Sequence, residues 1–259
     1  MNITLEIWRQ EDARAPGSLV RYPLADVEPS WPLLDALDLL NERLVAAGER
    51  PVAFDSDCRE GICGACGIVV NGRPHGGRLG TTTCELTITG ALGAAGEDAP
   101  PSTATPVITL EPFRTGAFPV VCDLVVDRSA LDRIIGAGGF ITARTGSAVE
   151  ANVVPVPKAD AERALDAAAC IGCGACVAAC PNGSAALFAG AKLAHLGRLP
   201  QGAPERSRRA LAVVDALDQA GFGRCGLHGE CERACPKGIR VDVIAALNRD
   251  ALGARLRSR

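Results

Sequence analysis

The chain has 259 residues, 27 lysines and arginines against 30 aspartates and glutamates, and a net charge of −3. That balance argues against a nucleic-acid partner, which needs a concentrated basic face; one tyrosine, two tryptophans and six phenylalanines are too few for a base-stacking surface. A hydrophobic content of 47% with 22% charge fits one large globular domain or two small ones.

The first residues, MNITLEIWRQ, carry neither a basic start nor an apolar run, so no signal peptide is expected. The Ala-rich run 185–199 is interrupted by Lys192, His195 and Arg198, and no uncharged apolar stretch of about 18 residues occurs elsewhere. A chain that does not itself cross a membrane and stays in the cytoplasm is the expectation.

Residues 3–8 (ITLEIW), 20–24 (VRYPL), 51–55 (PVAFD), 67–72 (GIVVNG), 84–89 (CELTIT) and 107–112 (VITLEP) are short and rich in β-branched residues, which predicts strands. Between the second and third, residues 32–47 place Leu33, Leu34, Leu37, Leu40 and Leu44 at helical spacing. Asn71-Gly72 predicts a tight hairpin. The Gly-, Ala- and Pro-rich segment 90–106 reads as a surface loop. After about Val126 the texture turns helical. Helices are expected over 129–135 and 160–169, capped by Ser129 and Asp160, and over 184–196, 204–220 and 241–256. The fold class expected is α+β, with an N-terminal domain over 1–120 and a helical domain over 121–259. The boundary falls near 115–128.

Twelve cysteines in a reducing compartment are metal ligands rather than disulfides when their spacing is regular. Cys58, Cys63 and Cys66 sit in DCREGICGACG, a C-x4-C-x2-C frame, and Cys84 follows. This is the plant-type arrangement for a [2Fe–2S] cluster. Gly61, Gly64 and Gly67 lack a Cβ, which lets backbone N–H groups approach the sulfurs. A structural zinc site is the competing reading. It normally needs two C-x2-C knuckles, and Cys58 with Cys84 do not supply the second. Cys84 is expected to come from a neighbouring strand.

Residues 170–181 read CIGCGACVAACP, the C-x2-C-x2-C-x3-C-P frame of two-cluster ferredoxins. Residues 225–236, CGLHGECERACP, repeat it with His228 at the second cysteine position. In this motif the fourth cysteine of each run serves the other cluster. Cys170, Cys173, Cys176 and Cys235 then make a [4Fe–4S] site, while Cys180, Cys225 and Cys231 make a third site with three thiolates. Three thiolates favour a [3Fe–4S] cluster; the alternative is a [4Fe–4S] cube completed by His228, since histidine ligates iron at Rieske centres. Cys122, in FPVVCDLVVDRS, is left over and reads as a buried structural thiol. His75 reads as a structural hydrogen-bonder, and His195 as a helix-end residue.

The plant-type loop at 58–84 followed by the doubled motif at 170–236 resembles the iron–sulfur subunit of succinate dehydrogenases and fumarate reductases. FDSDCREGICGACG, NGRPHG, FPVVCDLVVDRS, CIGCGACVAACPNGSA and CERACPKGI carry the resemblance over nearly the whole chain. It implies a β-grasp ferredoxin domain followed by an all-α two-cluster domain. It also implies electron relay through [2Fe–2S], [4Fe–4S] and [3Fe–4S] between the FAD of a flavoprotein subunit and quinone, reached through a membrane cytochrome b subunit carrying haem b. The dicarboxylate chemistry belongs to the flavoprotein, so this chain needs no nucleophile or acid–base pair. Within the family it is similar to the branch with a single dihaem anchor and menaquinone, because the tryptophan and histidine of many ubiquinone-reducing members are replaced here by residues 182–185 and by Gly226. The location implied is peripheral, on the cytoplasmic side of the membrane. The same wiring on another flavoprotein, of the thiol:fumarate reductase or glycerol-3-phosphate dehydrogenase type, is the alternative.

Overall fold

The computed structural model describes residues 1–93, 105–142, 150, 152, 156–200 and 202–257. Strand β1 (Ile3–Arg9) pairs antiparallel with β2 (Ser18–Leu24). Ile3, Leu5 and Ile7 alternate along β1 and are fully buried, as a strand with one solvated face requires. Helix α1 (Leu33–Ala46) adds Leu33, Leu34, Leu37, Leu40 and Leu44 to the same core.

Strands β3 (Ile68–Val70) and β4 (Arg73–Pro74) form the predicted hairpin. Asn71 (φ 49°) and Gly72 (φ 76°) are both left-handed, the backbone that a two-residue type I′ turn demands. After the short helix α2 (Ile88–Gly93), strand β5 (Val107–Pro112) inserts between β1, to which it is parallel, and β3, to which it is antiparallel. The order β2-β1-β5-β3-β4 with α1 in the sheet's core is the expected β-grasp. The segment 90–106 lies largely outside the described residues, and its first part belongs to α2.

Two predicted strands are absent. Segment 51–55 joins no sheet, because side chains take its N–H groups: Val52 N–H donates to Asn41 Oδ1 at 2.7 Å and Ala53 N–H to Asp123 Oδ2 at 2.9 Å. Segment 84–89 forms a turn that runs into α2, with Leu86 N–H bonded to Thr82 O and only an isolated bridge from Thr87 to Pro32. Cys84 therefore sits in a turn, and the expectation of a strand position for it is corrected.

The second half is helical, as expected. A small hairpin, β6 (Val120–Cys122) with β7 (Val125–Val126), leads into α3 (Ser129–Gly138), α4 (Lys158–Ala168), α5 (Ala175–Ala178), α6 (Ala186–Arg198), α7 (Arg206–Gln219), α8 (Glu230–Arg233) and α9 (Asp242–Arg257). Helix α6 is apolar nearly all round and lies among α4, α7 and α9, which is where such a helix must go. Gly190 lets α9 approach closely: a Cβ there would stand 2.8 Å from the Val243 carbonyl oxygen. Ser129 and Asp160 are not the caps. Asp127 Oδ1 accepts from Ser129 N–H at 2.8 Å, and Asp160 lies inside the first turn after Pro157.

The two halves interlock rather than abut. Leu124 belongs to the sheet's core, whereas Phe113, Ala117 and Phe118, earlier in the chain, belong to the helical one. A fully buried carboxylate, Asp123, pins this crossing. It accepts from both Arg50 guanidinium nitrogens at 2.8 and 2.9 Å, from Arg9 Nε at 3.2 Å, and from the N–H groups of Gln10 and Ala53.

Candidate iron–sulfur sites

Between α1 and β3 the chain makes a loop whose turns are set by Gly61 (φ 69°) and Gly64 (φ 75°). Its N–H groups point at sulfur: Glu60 N–H lies 3.3 Å from Cys58 Sγ, and Ala65 N–H 3.4 Å from Cys63 Sγ. The N–H groups of Glu60 and Ile62 bring the Cys58 thiol down to about 7. Cys58 is within hydrogen-bond reach of Cys63, and Cys66 of Cys84. Thr82 Oγ1 is 3.1 Å from Cys84 Sγ. Burial pushes the Cys66 thiol up to about 12.

At the second site a cavity is lined by Cys170, Cys173, Cys176 and Cys235, with Phe188 and Ile239 around them. Contact between α5 and α8 carries Cys235 across from the second run. Ile239 N–H lies 3.4 Å from Cys235 Sγ. Burial raises the thiols of Cys170, Cys173 (to about 12) and Cys176. At the third site another cavity is lined by Cys180, Cys225 and Cys231 together with His228. Cys122 is in none of these cavities; it is half-buried on β6, 3.3 Å from Arg50 Nη1.

These residues fit iron–sulfur clusters. Burial disfavours the anionic form of Cys66, Cys170, Cys173 and Cys176, and the positive charge of iron would offset that cost. Among the described residues no three His, Cys, Asp or Glu side chains stand close enough to hold a single metal ion. Cys58 with Cys63 and Cys66 with Cys84 stand as two pairs, as two irons require, and the other two cysteine groups each line one cavity, an arrangement that suits multi-iron cores.

Two residues escaped sequence reasoning as parts of this region. Arg128, just before α3, donates from Nη1 to the Gly64 carbonyl at 2.5 Å and to the Cys173 carbonyl at 3.1 Å, joining the first loop to the second. The loops are also in direct contact, since a Cβ on Gly64 would stand 2.6 Å from the Ile171 carbonyl oxygen. His75 is a structural hydrogen-bonder as expected, but it is also left-handed (φ 57°) and 1% exposed. Its Nδ1 accepts from Thr83 N–H at 3.1 Å, so Nε2 carries the proton, and Nε2 is buried with no partner among the described residues. Arg128 lies in the segment FPVVCDLVVDRS, but nothing in the sequence assigned it a role; His75 stood out only by following the hairpin.

A β-grasp domain with a plant-type cysteine loop, joined to a helical domain with a doubled ferredoxin motif, defines an electron-carrying iron–sulfur protein. Residues 4–133 match the 2Fe-2S iron-sulfur cluster binding domain family, and residues 166–239 the 4Fe-4S dicluster domain family. The chain is 34% identical over 209 residues to the succinate dehydrogenase iron-sulfur subunit of Bacillus subtilis, covering 77% of this chain and 72% of that one. It is 30% identical over 233 residues to the fumarate reductase iron-sulfur subunit of Mycobacterium tuberculosis, covering 86% and 81%. Its fold is similar to a chain of the Mycobacterium smegmatis Sdh1 complex in the apo form, with a TM-score of 0.60 at 22% identity over 97% of this chain and 96% of that one. The chain belongs to the iron–sulfur subunits of succinate dehydrogenases and fumarate reductases. It is thus the electron-transfer part of an oxidoreductase complex, with [2Fe–2S] and [4Fe–4S] clusters among its cofactors. Among the described residues no helix is long and apolar enough to cross a membrane.

Proposed function

We propose that the chain relays single electrons between the FAD of a flavoprotein subunit, where succinate is oxidised or fumarate reduced, and a membrane cytochrome b subunit that exchanges them with menaquinone. In this reading Cys58, Cys63, Cys66 and Cys84 hold the [2Fe–2S] cluster. Cys170, Cys173, Cys176 and Cys235 hold the [4Fe–4S] cluster, and Cys180, Cys225 and Cys231 the [3Fe–4S] cluster. The domains divide as 1–120 and 121–259, and the subunit sits peripherally on the cytoplasmic side of the membrane, held by an anchor with two haems b.

The observation that carries the relay is the contact of successive cysteine loops, with Gly64 against Ile171 and Cys173, and with Cys176 and Cys180 on the single short helix α5 and its end. When bound, the clusters supply one-electron carriers; the residues hold them close together and keep water away. Cys173 is buried, while Cys63 and Cys225 are exposed, so the first and third sites reach the surface where partners dock. Ile62 beside the first site is 61% exposed and Leu227 beside the third 81%. Apolar side chains so placed beside redox ligands suit burial in an interface.

The test is low-temperature EPR on the complex taken from detergent-solubilised membranes, before and after adding succinate. Reduction by succinate of a three-iron signal present in the oxidised sample supports the relay and the cluster count. Clusters that ignore succinate place the chain with a different flavoprotein.

A further inference from the structure

The two ferredoxin runs coincide in backbone conformation as well as in letters. Gly172 (φ 67°) and Gly174 (φ 88°) flank Cys173; Leu227 (φ 57°) and Gly229 (φ 80°) flank His228. Helix α5 begins one residue after Gly174, and α8 one residue after Gly229. His228 is therefore presented by the same left-handed, ligand, left-handed turn that presents Cys173 to the second site. Leucine has a Cβ and adopts this conformation only at a cost. Leu227 is 81% exposed, so no packing within this chain holds it there. Strain that persists without such a local return points to a use for the residue it positions.

Bulk is also exchanged between the runs. The first has Ile171 two places before a small ligand; the second has Gly226 two places before a large one. The His228 ring lies over Gly226, where a Cβ would stand 2.8 Å from Nε2. The glycine thus makes room for imidazole on the turn. His228 lines the same cavity as Cys180, Cys225 and Cys231.

We infer that His228 is a ligand for a fourth, exchangeable ferrous ion at the third cluster. This rests on the assignment of Cys180, Cys225 and Cys231 to a three-iron cluster. The chemistry balances without a further oxidant. One electron from the relay takes the oxidised [3Fe–4S]⁺ core to its neutral state. A ferrous ion then sheds water, forms three bonds to core sulfides and one to an imidazole nitrogen of His228, and gives [4Fe–4S]²⁺. No electron moves in the capture step, and neutral imidazole keeps its N–H proton on the other nitrogen. Imidazole suits iron, and binds it less firmly than thiolate, which keeps the ion exchangeable.

The experiment uses the detergent-solubilised complex, reduced without oxygen, incubated with ferrous ion alone, desalted and reoxidised. In the wild type the three-iron EPR signal is expected to fall with added ferrous ion and to return after chelation. Pulsed EPR of the reduced, iron-loaded form should show an imidazole nitrogen coupled to the new cluster. His228→Ala should lose that coupling, keep its three-iron signal, and bind ferrous ion about a hundredfold more weakly or worse, a ligand counting for at least as much as the outer-shell groups around metals. His228→Cys should hold four irons permanently and titrate at a lower potential, which shows that the turn folds around a substituted residue. Equal ferrous uptake by the wild type and His228→Ala, or uptake with no nitrogen coupling, overturns the inference and leaves the three-iron assignment intact. A wild type that already contains four irons with nitrogen coupling overturns the three-iron assignment and with it the exchangeable ion, leaving His228 a fixed ligand. No third cluster at all overturns both.

Discussion

Arg128 spans the two cysteine loops with a single nitrogen: its Nη1 donates to the carbonyl oxygen of Gly64 at 2.5 Å and to that of Cys173 at 3.1 Å. Hydrogen bonds from a charged donor contribute about 1.5–3 kcal/mol, and losing this one strands two partly buried carbonyls. Arg128→Ala should destabilise the loaded protein by about that amount in thermal unfolding. It should also weaken the magnetic coupling between the reduced first and second clusters in EPR, and Arg128→Lys should restore part of it. Unchanged coupling would show that loop packing alone fixes the separation.

Gly64 contributes to the same junction by having no side chain. At φ 75°, with backbone 2.6 Å from any added Cβ, an alanine meets both left-handed strain and a clash with the Ile171 carbonyl. Gly64→Ala is expected to reduce occupancy of the first cluster and to lower the unfolding temperature. Visible absorbance and iron content, compared with Gly72→Ala, which has open space around it, separate the clash from the left-handed strain common to both.

Asp123 has a fully buried side chain paired with Arg9 and Arg50. Burial alone would push its carboxyl up; hydrogen bonds from Arg50, Ala53 N–H and Gln10 N–H, with the charge of Arg9, outweigh this and hold it below its ordinary 3.8. Removing one partner of such a pair costs about 3–5 kcal/mol, so Asp123→Ala should lower denaturant stability by that order. The lowered value also sets a direction with pH. The carboxylate's contribution is complete above the unfolded value and is lost as pH falls through the folded one. Acid unfolding curves should therefore lose a component below about pH 4 in Asp123→Asn.

His75 titrates in the opposite sense. Burial first, and then the charge of Arg128, bring it from 6.5 to about 4. The folded chain keeps it neutral where the unfolded chain protonates, so the unfolded state binds the extra proton between those values. Its contribution is whole above pH 6.5 and is lost as pH falls toward 4, about 3 kcal/mol at full extent. Denaturant melts at pH 7 and pH 5 should show a smaller pH difference for His75→Asn, which tolerates the left-handed backbone. An identical difference in the variant would assign the acid sensitivity to other groups.

The sequence by itself determined the parts whose causes are local. Ligand spacing around a cluster is set over a few residues, so the cysteine groups and the repeat broken at His228 were legible without coordinates. Helical and strand periodicity likewise placed α1, β1, β5 and the longer helices of the second half, though not α5 and α8, and Asn71-Gly72 specified its turn. Only the tertiary structure decided what depends on partners far away in the chain. Segment 51–55 has strand-like letters, yet its N–H groups are claimed by Asn41 and Asp123, and 84–89 turns into a helix because Leu86 and Ile88 bond back to the start of α1 and to Trp31. The interlocked cores, the bridge from Arg128 and the buried Nε2 of His75, without a partner among the described residues, arise from contacts that no local pattern encodes. A long-range hydrogen bond is chosen by the whole fold, through the backbone groups it leaves unpaired and the cost of burying them so.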